Sequence, residues 1–237
     1  MNNGEFVESA LRAFTAREHE FKIFMDGVSQ WFGTNPNLRR DNLAVVHSVK
    51  SRLKDKEHLR EKLNRKWDGL EPITETNIFQ RITDLAGVRV LHLYQEQFDT
   101  IHSEILNKVM DLKDWHLVES PKAYTWDPES KSFFERLGIH VLVKESFYTS
   151  VHYLVRPRPD SPICCEVQVR TLFEEIWGEV DHTIKYPDKA LNLSCREQLL
   201  VLAKLVGAGS RLVDSIFRSS ESSSDGSFSS DKRRLES

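Results

Sequence analysis

Over the first thirty residues Phe6, Val7, Leu11, Phe14, Phe21, Phe24 and Met25 recur at roughly helical spacing, which predicts one helix ended by Gly33-Thr-Asn-Pro36. Residues 45–54 are rich in Val and suit a strand. Asp55 can then cap a helix running to about Lys66 and stopped near Gly69 and Pro72. A strand is expected at 86–94, where Val88, Val90 and Leu91 follow Gly87, and a crossover helix from Phe98 to Met110. Strand candidates follow at 115–119, 139–144, 150–156 and 163–169, while 122–137 reads only as a polar, aromatic stretch. The segment 171–185 reads as helical, and the Leu/Val pattern from Leu191 to Phe217 suits one helix or two. Alternating strands and helices followed by a run of strands predict an α/β (α+β) fold, a mixed β-sheet with helices packed on it. We expect one domain over 1–218 with N- and C-terminal helices. The Ser-rich run 219–237 has too little apolar surface to offset chain entropy and is expected to be a disordered tail.

With 237 residues, 39% of them hydrophobic, the chain can bury one large core. Thirty-three Lys and Arg against thirty-six Asp and Glu leave a net charge of −3, a balance that demands neither a nucleic-acid nor a membrane partner. No basic, then apolar, leader and no run of about 18 apolar residues is present, so a cytoplasmic protein without a membrane partner is expected. Cys164, Cys165 and Cys195 lack zinc spacing and read as packed free thiols.

Four segments carry candidate chemistry. In Glu166-Val-Gln-Val-Arg-Thr171 strand alternation puts Glu166, Gln168 and Arg170 on one face and Val167 and Val169 on the other; a salt-bridged edge strand would show the same pattern. Asp84 stands just before a small-residue turn, with Gly87 allowing backbone to pass close to a ligand; a carboxylate that merely caps a turn is the competing reading. Magnesium on a triphosphate takes one or two protein carboxylates, a pair that Asp84 and Glu166 could supply. Arg52 and Lys54 share one face of an extended segment, and His58, Lys62 and Arg65 form a stripe on the following helix beside an apolar stripe of Leu59 and Leu63. Such a fork suits a triphosphate, although charge runs on helices often face only solvent. Finally, Tyr148, Ser150 and His152 lie on one side of a strand, where a ring can stack on a base and the polar groups can bond a sugar or phosphate.

In order and internal spacing these segments resemble the synthetase domain of the RelA/SpoT alarmone family, whose patterns run approximately R-x-K-x(3)-S-x(3)-K-x(2)-R, D-x-x-G-x-R, G-Y-x-S-x-H and E-x-Q-x-R-T. The resemblance covers about residues 45–186 and implies a nucleotidyltransferase-like fold of the small, stand-alone type. It implies a pyrophosphokinase that transfers the β,γ-pyrophosphate of ATP to the 3′-hydroxyl of GDP or GTP, making (p)ppGpp with Mg2+ as cofactor. By position, Asp84 and Glu166 would hold the metal, and Glu166 would also accept the proton of the attacking hydroxyl. Arg52 and Arg89 would sandwich the adenine, with Lys54, His58, Lys62 and Arg65 along the phosphates. Tyr148 would stack on the acceptor base, near Ser150, His152, Gln168 and Glu175.

Three positions depart from the family pattern. His58 stands for Ser, Phe147 for Gly, and Glu175 occupies a place where small guanosine-using members often carry Asn. They fall mostly on the acceptor side, so two alternatives accompany the main expectation: a toxic relative that pyrophosphorylates the tRNA 3′ end or adenosine nucleotides, and a silent nucleotide- or RNA-binding module. The family's hydrolase half is expected to be absent. Leu199, Leu200, Leu202, Leu205 and Val206 suit either a homo-oligomer contact or packing within the chain.

Overall fold

The computed structural model describes residues 3–39, 44–66, 72–185 and 192–227. Asn3–Thr34 forms helix α1, with Phe14, Phe21, Met25, Val28 and Phe32 buried along one side. Strand β1, Ser48–Leu53, leads into α2, Lys56–Arg65, which begins as expected: the Asp55 carboxylate accepts from the backbone N–H of Glu57 and His58. A short helix α3, Ile78–Arg81, precedes strand β2, Ala86–His92, and α4, Gln97–Met110.

The stretch 122–137, for which the sequence suggested no element, holds strand β4, Lys122–Thr125, and helix α5, Pro128–Arg136, after the two-residue strand β3, His116–Leu117. Asp127 caps α5 and Pro128 opens it, where a missing N–H and a fixed φ cost nothing. Strands β5, His140–Val143, β6, Ser150–Arg156, and β7, Cys165–Thr171, follow. Helices α6, Leu172–Lys185, and α7, Leu193–Ser227, complete the described chain. The Leu/Val pattern therefore forms one helix, and α7 runs past the boundary expected at Ser219; residues 228–237 of the expected tail lie outside the described residues.

The seven strands form one mixed sheet in the order β1-β2-β7-β6-β4-β5, with β3 also beside β6. The pairs β2/β7 and β4/β5 are parallel and the others antiparallel. In β4-α5-β5 a helix joins two adjacent parallel strands.

Register gives the sheet two faces of opposite character. Val49 stands opposite Val90, Val88 opposite Val167, and Val151 opposite Val169, so one face is apolar. Helix α1 packs against this face at β1, β2 and β7. Helix α4 also covers it, with the His102 Nδ1 2.7 Å from the Tyr153 hydroxyl. Cys164 and Cys165 are buried free thiols, and burial pushes the Cys164 thiol up to about 12, which suits packing rather than chemistry. No described helix is long and apolar enough to cross a membrane.

Candidate active site

The opposite face is polar because the alternate positions of the same strands project there. Lys50 pairs with Arg89, Arg52 with Gly87, Gly87 with Glu166, Arg89 with Gln168, and His152 with Gln168. Four of the sequence segments thus converge on one surface. A Cβ added at Gly87 would meet only Arg52 O at 3.9 Å and Glu166 O at 4.0 Å, ordinary contacts, so the glycine is not demanded by sheet packing. What it does is leave the surface between Arg52 and Glu166 free of a side chain.

Asp84 lies two residues before β2. The Lys54 N–H donates to Leu85 O at 2.8 Å, which extends the β1/β2 pairing and brings the Lys54 side chain to Asp84. Leu59 and Leu63 seat α2 in the core, and the neighbouring stripe turns Lys62 to the same carboxylate. Lys62 Nζ is 2.7 Å and Lys54 Nζ 3.0 Å from Asp84 Oδ2. Burial raises the Asp84 pKa, but the two ammonium groups more than offset that and hold the carboxyl below its usual value. Oδ1 is buried and has no hydrogen-bond partner.

An orphaned carboxylate oxygen of this kind fits a hard cation. No cluster of three or more His, Cys, Asp or Glu able to hold a metal exists among the described residues, so a cation at Asp84 would complete its shell with ligand oxygens and water. Arg52, His58 and Arg65 are exposed along the rim, with the His58 ring 3.5 Å from Asp55.

Glu166 is held on both oxygens. His152 Nδ1 is 3.1 Å from Oε1, and Gln168 Nε2 donates to Oε2 at 2.7 Å. Burial raises its pKa, but the bonds from His152 and Gln168 outweigh this and leave it below the ordinary carboxylate value. An ionised Glu166 can only accept, so Nδ1 of His152 carries a proton toward it, and Nε2 lies in hydrogen-bond contact with the Tyr148 hydroxyl, 2.9 Å away. Ser150 is buried and its hydroxyl donates to Val169 O at 3.3 Å, so this residue is tied into the sheet rather than offered to a ligand.

Glu175 does not stand open either. Its buried carboxylate meets Lys50 Nζ at 2.9 Å, Arg89 Nη1 at 2.9 Å and the Arg170 guanidinium. Arg89 also reaches Glu179 Oε1 at 2.7 Å, so its guanidinium turns toward α6. Gly178 makes room for this cluster: a Cβ there would fall 2.6 Å from Arg170 Nη1. Helix α6 is aimed by a capping box, in which Thr171 N–H and Oγ1 donate to Glu174 Oε2 while Glu174 N–H donates back to Thr171 Oγ1.

Three comparisons with known proteins bear on this face. The pattern of the region found in RelA / SpoT proteins matches residues 51–190, more than half of the chain. The chain belongs to the RelA/SpoT family. Among solved structures, small alarmone synthetase 1 from Bacillus subtilis superposes with a TM-score of 0.64 at 16% identity, covering 85% of this chain and 94% of that one. The same protein bound to its product pppGpp gives 0.60 at 19% identity, with 87% and 93% covered. A GTP pyrophosphokinase family protein from Streptococcus pneumoniae gives 0.55 at 18%, with 92% and 93% covered. These likenesses establish the fold, a RelA/SpoT-type mixed sheet. No match to a curated protein sequence is found.

The structure adds Lys50, Glu179 and Tyr124 to the face, and it gives Arg170, already on the polar row and in the E-x-Q-x-R-T motif, a buried partner in Glu175. Arg170 belongs to the alternating row of β7, and Lys50 lies two residues before Arg52 on the same face, so both were visible as strand neighbours. Glu179 is one helical turn after Glu175. Tyr124, whose ring meets His152 edge-on with centroids 4.8 Å apart, stayed hidden because β4 itself was not recognised.

Proposed function

We propose that this RelA/SpoT-family protein is an ATP-dependent pyrophosphokinase that moves the β,γ-pyrophosphate of ATP to the 3′-hydroxyl of GDP or GTP. The observation that carries the reading is the pairing, on one polar face, of Asp84, with a free buried oxygen and two lysines, and Glu166, ionised and oriented by His152 and Gln168. In this reading Lys54 and Lys62 pass from Asp84 to the phosphates of ATP, with Arg65 and His58 further along α2 and Arg52 and Arg89 beside the adenine. Magnesium bound by Asp84 and Glu166 would neutralise charge on the triphosphate. Glu166 takes the proton of the 3′-hydroxyl as its oxygen bonds to the β-phosphorus of ATP. The bond from that phosphorus to the α,β-bridging oxygen breaks and AMP leaves. Positioning and charge neutralisation supply most of what such a transfer requires.

Tyr148 would stack on the acceptor base. Glu175, already held by three cations, acts in this reading as a support for Arg89 and Arg170 rather than as a partner of guanine. The pppGpp bound by the Bacillus subtilis relative is consistent with GTP as acceptor. For an oligomer we favour the outer side of α7, where Val201, Leu205, Leu212 and Ile216 are exposed, while Leu199 and Val206 face inward.

The deciding experiment incubates the purified protein with ATP labelled in the γ-phosphate and GDP, GTP, ADP or tRNA in turn. Label in the guanosine nucleotides is expected. Label confined to tRNA or ADP would replace the acceptor, and nucleotide binding with transfer to no acceptor would reduce the protein to a binding module.

A further inference from the structure

Phe147 has φ of 60°, in the left-handed region, where a bulky side chain is strained and glycine is at ease. Such a conformation persists only where the surroundings over-determine it. The surroundings are an aromatic cluster separate from the main core, with Trp177, Ala203 and Val206 at its centre and Phe147, Trp126 and Phe173 packed against it. The Phe147 ring meets Trp126 edge-on, with centroids 5.4 Å apart. Trp177 is in turn fastened to α7, its indole N–H donating to Leu199 O at 3.1 Å. A small cavity is lined by Phe147, Glu174, Trp177, Ala203 and Val206, where the ring comes beside α7.

The next residue is Tyr148. The Arg170 guanidinium lies 5.7 Å from its ring centroid, and its hydroxyl bonds His152, which bonds Glu166. A shift of the backbone at 147 therefore reaches the base-stacking ring across one peptide bond, and the carboxylate across two further hydrogen bonds.

We propose that Phe147 is a positioning residue and that helix α7, through Ala203 and Val206, is the element that holds it: α7 sets where Tyr148 stands on the acceptor side. This rests on the reading of Tyr148 as the acceptor-base platform. The ring explains why a residue with a strained backbone serves at this place. Glycine would relieve the strain but would cut the connection to α7.

The test compares Phe147→Gly, Phe147→Tyr and Val206→Ala with the unaltered protein. Val206 lies on α7 and has no part in the proposed catalytic or binding groups, and its truncation is mild. Phe147→Gly and Val206→Ala are expected to raise the acceptor KM by about tenfold to a hundredfold, as small misplacements near a reacting centre do, with the KM for ATP unchanged. Phe147→Tyr, which keeps the ring, is expected to retain the original value. In amide hydrogen exchange, segment 144–149 should exchange faster in Val206→Ala while β7 does not. Equal rises in both KM values, or an unchanged acceptor KM in Phe147→Gly, would overturn the proposal. If the unaltered protein transfers pyrophosphate to no acceptor, the catalytic reading fails by itself. The exchange measurement then decides the coupling, and unchanged exchange of 144–149 in Val206→Ala would refute it.

Discussion

The proposed donor side and the proposed acceptor side of the polar face share one sheet but are held together by different means. Lys54, Lys62 and Asp84 come from residues 54–84, are placed by β1, α2 and the turn before β2, and remain partly exposed at 15%, 21% and 28%. Tyr148, His152, Arg170 and Glu175 come from a loop, two strands and α6, and the Arg170–Glu175 pair is 3% and 7% exposed. The proposed donor side thus consists of partly exposed charges, two lysines sharing one carboxylate oxygen, and in the proposed function these lysines exchange Asp84 for the phosphates of ATP. On the proposed acceptor side the Arg170–Glu175 pair is fixed by burial, and separating the two would leave an unpaired ion in a low-dielectric surrounding.

The largest effect tests the junction of the two. Glu166→Gln should lower kcat by about 10²–10⁴-fold, the usual worth of a general base, with ATP affinity retained in calorimetry. Next, Glu175→Leu leaves Arg170 buried without its carboxylate and should cost about 3 kcal/mol in denaturant unfolding. Asp84→Asn, on the solvated side, should change stability by less than about 1 kcal/mol, and equal losses in the two variants would erase the contrast drawn between the halves.

Lys62→Met should weaken ATP binding by about tenfold, the scale of one charged hydrogen bond, and leave the acceptor KM alone. The smallest effect concerns Glu174, whose carboxyl is pushed by burial, against its bonds from Thr171, up to about 7. A folded-state pKa above the unfolded one means that the native protein binds the extra proton. Stability from this group is full below about 4.3 and is lost as pH rises through 7. Glu174→Gln keeps the capping box and should flatten the decline of the urea midpoint between pH 5 and 8.

Much of this was legible in the chain itself. The α1 periodicity, the Asp55 cap and the alternation in β2 and β7 are local, since each is set by spacing within one element. Strand β4 and helix α5 escaped because Lys-Ala-Tyr-Thr is too short to give a clear period, although Asp127-Pro128 carried a helix-start signal. The disordered tail expected from Ser219 was placed on composition alone, whereas α7 continues to Ser227.

For the site, the sequence by itself determined which residue types share a strand face: Glu166 with Gln168 and Arg170, and Arg52 with Lys54. Backbone geometry repeats every two residues, so no partner is needed to fix that. Only the tertiary structure decided the partners. That Asp84 holds Lys54 and Lys62, that Glu175 is saturated by three cations, and that Phe147 leans on α7 all depend on contacts between distant segments. Those contacts follow from register and packing, and residues far apart in the chain carry no local signal of either.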